Sequence, residues 1–269
     1  MKIYISADIE GVCGIQSWSE TSKESPEYTY FQKEMTNEVI ACCNALHEKG
    51  INDIYVRDAH DYARNLLLDA LPSYVKVIRG WEESPCDMMA GLDESFDAAI
   101  LIGYHSPSRS AGNPLSHTLN TKINHIKINN KVASEFLINT YYAKLKKVPV
   151  ILVAGDQALT DTVKKENEKI LTVATNEGLH GAIITKHPSL VADDIYNKTL
   201  QAIDNLKKIK KDDWYVMIPK SIETEVHFRT HQKAFRASFY PNAYLRNFDK
   251  VVHQTTDFKE TLTFLMFTL

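Results

Sequence analysis

Two almost uninterrupted apolar runs constrain the fold of this chain more than any other feature. They are Ala-Ala-Ile-Leu-Ile-Gly at residues 98–103 and Val-Pro-Val-Ile-Leu-Val-Ala at residues 148–154. Strands that are apolar on both faces need cover on both faces, which is typical of a parallel sheet between helices. Because strand and helix patterns alternate along the chain, right-handed crossovers are expected. The sequence therefore predicts an α/β fold with a mainly parallel sheet flanked by helices.

The other elements follow from periodicity and from stop signals such as Gly50, which comes just after a predicted helix. In the last third the predicted strands lie closer together and are more mixed. We therefore predict a metal-binding catalytic α/β domain over residues 1–188 and a smaller α+β domain over residues 189–269. The predicted strands cover residues 2–8, 53–56, 75–78, 98–103, 123–128, 131–132, 148–154, 214–218, 223–229 and 250–254; the predicted helices cover residues 25–49, 135–147, 189–208, 231–238 and 258–267.

Composition argues against several classes of function. A net charge of −3 gives no electrostatic basis for binding nucleic acid or an anionic membrane. No apolar run approaches the ~20 residues of a membrane-spanning helix. Acids at positions 8 and 10 interrupt what would be the apolar core of a signal peptide. The four cysteines show no CxxC or zinc-knuckle spacing, so we expect a reducing, cytoplasmic compartment.

Acids and histidines stand at the carboxyl ends of three predicted strands. Asp8 and Glu10 end the first, His60 follows the second, and His105 follows the apolar strand that begins at residue 98. Residues i and i+2 of a strand point to the same face, at a Cα separation of about 6.6 Å. One of the two carboxylates can then bridge two cations. Since ligands of open α/β sheets gather at the carboxyl ends of strands, the sequence predicts a metal site, with a two-metal site favoured.

The residue types indicate which metals such a site would bind. Carboxylate and imidazole ligands without thiolate suit Zn²⁺, Mn²⁺, Co²⁺ or Fe²⁺ better than Ca²⁺. A further acid is needed, and Glu135 is the leading candidate, although Glu is also favoured at a helix start by the helix dipole. Each residue taken alone has an ordinary structural interpretation as a cap, turn or surface group. Serine-hydrolase elbows, P-loops and dinucleotide motifs do not follow any predicted strand.

Five short motifs occur in order over about residues 1–160. They are Ser-x-Asp-x-Glu-Gly at 6–11, Asp-x-His at 58–60, Gly-Tyr-His at 103–105, Ser-His at 116–117 and Val-Ala-Gly-Asp at 153–156. Together they resemble the motifs of the zinc-dependent D-aminopeptidases of the DppA type. Beyond that range the likeness rests mainly on length. The chain departs from the family pattern at Cys13, Arg57 and Ser134.

The resemblance implies roles for six residues and a cofactor. Its metal ligands fall on Asp8, Glu10, His60, His105 and Glu135, which together would hold two zinc ions per subunit, and its essential loop histidine falls on His117. A neutral imidazole beside an activated water can take up a proton and deliver it to a leaving amine. A direct nucleophilic role for His117 stays open. Asp58 and Asp156, which also end strands, could orient a ligand histidine or bind a substrate ammonium group.

The expected function is therefore a metal-dependent aminopeptidase that hydrolyses short peptides with a free N-terminus, including peptides of D-amino acids. The reaction would use a water activated by two zinc ions, with a histidine proton shuttle. By resemblance the subunits would form a homo-oligomer, a closed homodecamer that admits only small peptides. Two alternatives stay open at this point: another binuclear metallohydrolase, such as an amidase or phosphoesterase, and a non-catalytic metal-binding protein.

Overall fold

The computed structural model describes all residues 1–269 and contains three β-sheets. Its strands are β1 (Lys2–Ala7), β2 (Asp53–Asp58), β3 (Val75–Ile78), β4 (Ala98–Tyr104), β5 (Ile123–Ile128), β6 (Lys131–Val132), β7 (Val150–Gly155), β8 (Leu171–Ala174), β9 (Asn176–Leu179), β10 (Ala182–Thr185), β11 (Ile222–Phe228), β12 (Ala243–Asn247) and β13 (Lys250–Thr255). Its helices are α1 (Tyr28–Glu48), α2 (Glu135–Leu145), α3 (Gln157–Glu166), α4 (Pro188–Leu206), α5 (His231–Ala237) and α6 (Phe258–Thr268).

The first sheet has six strands in the order β3-β2-β1-β4-β7-β8, and every pair is parallel. Strands β4 and β7 are buried along their whole length, as their apolar runs require. Helices α1 and α4 pack against each other, and together with α2 and α3 they contact this sheet. The predicted fold class is therefore confirmed. Because the chain order reverses at β1 and β4, the carboxyl ends of β2, β1 and β4 lie side by side, where such sheets bind ligands.

The second sheet is antiparallel, in the order β12-β13-β11-β5-β6, and α5 and α6 pack on it. The hairpin β5–β6 turns at Asn129 and Asn130, which both have positive φ (47° and 66°). Asparagine tolerates this left-handed conformation, which two-residue hairpin turns need. The hairpin matters for the site because it runs directly into α2.

Several predicted elements need correction. No strand forms over residues 214–218, because Trp214 is buried at the end of a short 3₁₀ helix and the residues after it pair with no strand. Helix α3 and strands β8, β9, β10 and β12 were not predicted. The division at residue 188 stays a prediction: β5 and β6, before it, belong to the second sheet, and α4, after it, packs on α1. None of the helices combines the length and apolarity needed to cross a membrane.

Candidate metal centre

Four predicted ligands meet where the parallel strands end. Asp8 and Glu10 follow β1, His60 follows β2, and His105 follows β4, and all four side chains are buried. The parallel register places Ala7 opposite both Asp58 and Ile102, so the three strands end at nearly the same height. Chain segments far apart in sequence are thereby brought to one point, as the strand-end pattern predicted.

Two glycines let the backbones behind these ligands approach closely. A Cβ on Gly11 would lie 1.8 Å from the carbonyl oxygen of Tyr104, and one on Gly103 would lie 2.2 Å from the carbonyl oxygen of Asp8. Real Cβ atoms do not come so close to backbone oxygens. Gly103 also has φ +71°, which favours glycine. The amide of Gly11 donates to the carbonyl of Gly103 at 2.8 Å, which joins the ends of β1 and β4.

The side chains form two half-sites that share Asp8. Asp8 Oδ1 lies 3.4 Å from His60 Nδ1, while Asp8 Oδ2 lies 3.7 Å from His105 Nε2. Glu10 Oε2 completes the first half-site, 3.0 Å from His60 Nδ1. Glu135 Oε2 completes the second, 3.3 Å from His105 Nε2. A carboxylate whose two oxygens face different histidines is placed as a bridging ligand of two cations would be.

Glu135 reaches this point from helix α2, which follows the hairpin β5–β6 of the second sheet. It is the first residue of α2, and the side chain of Ser134 caps that helix by accepting from the amide of Leu137 at 3.1 Å. A helix N-terminus favours a negative charge. The amide of Leu119 donates to Glu135 Oε1 at 2.7 Å, which leaves Oε2 facing His105.

Backbone carbonyls fix the tautomers of the two histidines. His60 Nε2 lies 3.0 Å from the carbonyl oxygen of Thr21, and His105 Nδ1 lies 2.9 Å from that of Ser106. A carbonyl only accepts, so each of these nitrogens is the N–H donor. In the neutral ring the other nitrogen carries the lone pair, and in both histidines it faces the carboxylates, as a metal ligand must.

The electrostatics of the cluster call for a cation. Three carboxylates, those of Asp8, Glu10 and Glu135, are buried together, and their ion-pair contacts are all with histidines. Burial raises the pKa of Asp8 well above its usual range, and the Glu10 carboxylate adds to this. Burial alone would lower the pKa of His60 and His105. The nearby carboxylates outweigh it: Glu10 raises the pKa of His60, and Glu135 raises the pKa of His105, so that both lie well above the usual value. Buried charges of one sign are costly without compensation.

Unpartnered atoms point to the same conclusion. Glu10 Oε2 and His105 Nε2 are buried and have no hydrogen-bond partner. Donor atoms of Asp8, Glu10 and His105 lie within 4.8 Å of one another, as do those of His105, His117 and Glu135. Oxygen and imidazole donors suit zinc and related divalent ions. The residues present therefore fit the predicted metal.

His117 lies against the cluster, on the loop between β4 and β5. Its ring stacks on the ring of His105, with the two centroids 4.3 Å apart. The ring of Trp18 packs edge-on against it, at a centroid distance of 5.2 Å. His117 Nδ1 donates to the carbonyl of Leu115 at 2.9 Å, so the lone pair is on Nε2. That nitrogen lies 3.8 Å from both Glu10 Oε1 and Glu135 Oε1. Burial and the neighbouring His105 lower the pKa of His117, which favours the neutral imidazole.

Asp58 and Asp156 are structural supports. Asp58 accepts from the amides of Asn65 and Leu66, and the Asn65 side chain donates to the carbonyl of His60 at 2.7 Å. Asp156 is fully buried, accepts from Ser106 and caps α3. Both carboxylates are therefore engaged within the protein. The contact of Asp58 with Asn65, which donates to the carbonyl of His60, and that of Asp156 with Ser106, next to His105, favour the suggestion that these acids orient the histidines.

Sequence reasoning missed two residues that shape the site. Asn113 donates to the carbonyl of Glu10 at 3.0 Å and accepts from the amide of Leu115 at 2.8 Å, which ties the His117 loop to the end of β1. Its place before a proline in Gly-Asn-Pro was an available turn signal. Trp18 gave no signal, because it begins a short 3₁₀ helix (Trp18–Glu20) and belongs to none of the motifs.

The cluster opens into a cavity of about 950 Å³. This volume lies within the range of small-molecule sites. Asp8, Glu10, His60, His117 and Glu135 all line it, and so do Trp18 and Trp81. The donor cluster is thus accessible to a substrate of a few residues.

Comparison with known proteins gives a consistent result. The chain is 28% identical to the D-aminopeptidase of Bacillus subtilis (strain 168) over 211 residues, which are 78% of this chain and 76% of that protein. It superposes with a TM-score of 0.90 and 25% identity on the solved structure of the Zn-dependent D-aminopeptidase DppA from Bacillus subtilis, described as a self-compartmentalizing protease, over 100% of this chain and 96% of that one. The family model described as D-aminopeptidase matches residues 1–267. The chain therefore belongs to the D-aminopeptidase family, as its motifs predicted.

Proposed function

We propose that this member of the D-aminopeptidase family uses two zinc ions per chain to remove the N-terminal residue of short peptides, including peptides of D-amino acids. The predicted enzyme class, a metal-dependent aminopeptidase, is confirmed by the family and by the structural similarity to a zinc-dependent member. The observation that best supports the two-metal proposal is Asp8, whose two carboxylate oxygens face two different histidines.

We assign the metal ligands as Asp8, Glu10 and His60 for one zinc ion and Asp8, His105 and Glu135 for the other. Free lone pairs on both histidines and the excess of buried carboxylates support this assignment. Zinc ions held there supply Lewis acidity toward a carbonyl oxygen and toward water.

His117 is the proposed proton carrier. Its neutral ring presents Nε2 to the cavity, so it can accept a proton from the attacking water and return it to the leaving amine. Once protonated, the ring would be stabilised by the carboxylates of Glu10 and Glu135, each 3.8 Å from Nε2. The contact with Trp18 and the hydrogen bond to Leu115 hold the ring in this orientation.

We propose that the subunits assemble into a closed homo-oligomer, a homodecamer, which encloses the cavities and admits only short peptides. The self-compartmentalizing description of the similar structure supports assembly. Large exposed apolar side chains also support assembly, because such side chains are typical of subunit contacts. They lie on α5, just after it, in the β12–β13 turn and on α6: Phe235, Phe239, Phe248 and Phe267. Light scattering on the purified protein should give about ten chains per particle; a stable, active monomer would refute the closed assembly.

The proposed compartment is the cytoplasm. All four cysteines are free and buried, which fits a reducing environment. Cell fractionation with an antibody to the chain tests this proposal, and recovery outside the cytoplasmic fraction would contradict it.

A substrate panel on the zinc-loaded protein tests the activity. It should contain D- and L-aminoacyl p-nitroanilides, the matching dipeptides, N-acetylated versions of the same compounds and p-nitrophenyl phosphate. We expect turnover of compounds with a free amino group and none of the acetylated or phosphate compounds. Hydrolysis of acetylated amides or of the phosphoester alone would replace the proposal with an amidase or a phosphoesterase.

A further inference from the structure

The cavity has an apolar wall that begins beside the metal centre. On α2 the residues Glu135, Ile138 and Asn139 all line the cavity, at the i, i+3, i+4 spacing of one helix face. The residue that follows the ligand Glu135 along this face is therefore aliphatic. Met88, from the short 3₁₀ helix at Asp87–Met89, adds a further apolar side chain.

Helix α6 extends this wall. Three of its residues and the C-cap residue Leu269 line the cavity at i, i+3, i+4 and i+7, which is one continuous stripe. All four side chains are apolar: they are Leu262, Leu265, Met266 and Leu269. Helices α2 and α6 are in contact, and the rings of Tyr141 and Phe258 pack edge-on between them, with their centroids 5.2 Å apart. We call this surface, formed by Ile138, Met88 and the four residues of the α6 stripe, the aliphatic wall.

The polar residue next to the aliphatic wall offers little to a ligand. The Asn139 amide donates to the hydroxyl of Tyr104 at 2.9 Å, and its oxygen accepts from the Cys86 thiol at 3.5 Å. Asn139 is itself buried. The charged residues that line the cavity outside the metal cluster are Asp61, Glu83, Asp87 and Lys122. Of these only Asp87 shares a segment with the wall, and its carboxylate accepts from the amide of Ser84 at 3.0 Å.

We infer that the aliphatic wall is the subsite for a substrate side chain next to the scissile bond, so that the enzyme selects peptides with an aliphatic residue there. This inference rests on the proposed function and deepens it. A lysine or glutamate side chain placed against the wall would lose its hydration without gaining a partner, whereas an aliphatic one gains buried apolar contact. Met266, which is 41% exposed, and Ile138 are the specificity-determining residues.

A set of dipeptides tests the inference. Each pairs glycine with Ala, Leu, Lys or Glu, which stands either first or second and is supplied in the L and the D configuration. The wild type should prefer leucine over lysine by at least about tenfold in kcat/KM at one of the two positions. Met266→Glu should reverse this ratio in favour of lysine, with the zinc content unchanged. Met217→Glu is the matched control, because Met217 is 70% exposed and does not line the cavity. Ile138→Phe, which narrows the subsite, should disfavour leucine relative to alanine.

Binding gives a second readout that does not depend on turnover. Trp18 and Trp81 line the cavity, so their fluorescence can report occupancy. Leucinol, which has no hydrolysable bond, should bind the zinc-loaded wild type more tightly than lysinol, and Met266→Glu should reverse the order. Equal turnover of leucine and lysine peptides, or a Leu/Lys ratio that Met266→Glu leaves unchanged, would overturn the inference alone. Failure of every peptide would overturn the proposed function, and the inference with it.

Discussion

Glu38 gives a sharp test of the packing behind the metal centre. It lies on the buried face of α1, is 3% exposed, and accepts from the amide of Cys13 at 2.9 Å through Oε1, while Oε2 has no partner. Burial raises the pKa of this carboxyl from 4.5 to about 8. Glu38 is therefore protonated in the folded protein at neutral pH, and Glu38→Gln resembles that protonated form in shape and charge.

The sign and size of the effect follow from linkage. Between pH 4.5 and about 8 the unfolded chain has lost this proton and the folded protein has kept it. Stability therefore falls as pH rises through this window, by about 1.4 kcal/mol per pH unit. Glu38→Gln removes this pH dependence, because glutamine does not titrate. The free energy of unfolding of the variant, relative to that of the wild type, should therefore increase by roughly 3 kcal/mol between pH 5 and pH 7.

Urea unfolding at several pH values measures this difference. Glu177→Gln is the control, since Glu177 is exposed on β9 and makes no side-chain hydrogen bond or ion pair. We expect the control to follow the wild type at every pH. If the free energy of unfolding changes with pH equally in Glu38→Gln and in the wild type, Glu38 is ionised in the folded protein. That result would refute the reasoning.

Three further predictions concern the site and its surroundings. His117→Ala should keep its zinc and lose about 10²–10⁴-fold in kcat; zinc analysis and kinetics check this, and depleted zinc would make His117 a ligand. Gly103→Ala should lower both the melting temperature and the zinc affinity, because its Cβ would lie 2.2 Å from the carbonyl oxygen of Asp8; unchanged melting would contradict this. Burial lowers the pKa of His125 to about 4, so the stability that the neutral ring provides should be lost as pH falls from about 6.5 to about 4. In urea unfolding, the free energy of unfolding of His125→Phe should therefore fall less over this pH range than that of the wild type, and an equal fall would refute this.

The sequence predicted the parts of the fold that are set by local pattern. The runs at 98–103 and 148–154 predicted β4 and β7 because a strand buried on both faces has to be apolar throughout. The hairpin at Asn129 and Asn130 was predicted because only a few residue types accept positive φ in such turns. Helix α3 was missed although Asp156 caps it, since few of its residues are buried and its apolar period is short.

Tertiary structure decided the rest. Residues 214–218 are all apolar or aromatic, a pattern typical of a strand, but a 3₁₀ helix ends at Trp214 and the residues after it pair with no strand. Strand β12 is largely exposed, so its residues lack the alternation that indicates a strand. The second sheet joins a hairpin from the middle of the chain to strands near its end. Such pairing depends on contacts between distant segments, which local periodicity does not reveal.

For the site, a position at the end of a strand was informative only for residues on neighbouring parallel strands. Asp8, His60 and His105 could be expected to converge because parallel strands end at one edge of the sheet. Glu135 and His117 arrive on other segments: pattern alone made Glu135 a candidate with an equally good explanation as a helix-start residue, and only the resemblance to the family indicated His117. The aliphatic wall could not be predicted, because α6 carries ordinary helix periodicity and its position against the cavity is set by packing on α2.

The most direct test of the central claim is the zinc content of Asp8→Ala. Elemental analysis of the wild type should find about two zinc ions per chain. Asp8→Ala should lose both while circular dichroism shows an intact fold, because each carboxylate oxygen faces a different half-site. Asp61→Asn, an exposed neighbour of His60, should keep the wild-type zinc content. Full zinc occupancy in Asp8→Ala would contradict the assignment of Asp8 as the bridging ligand.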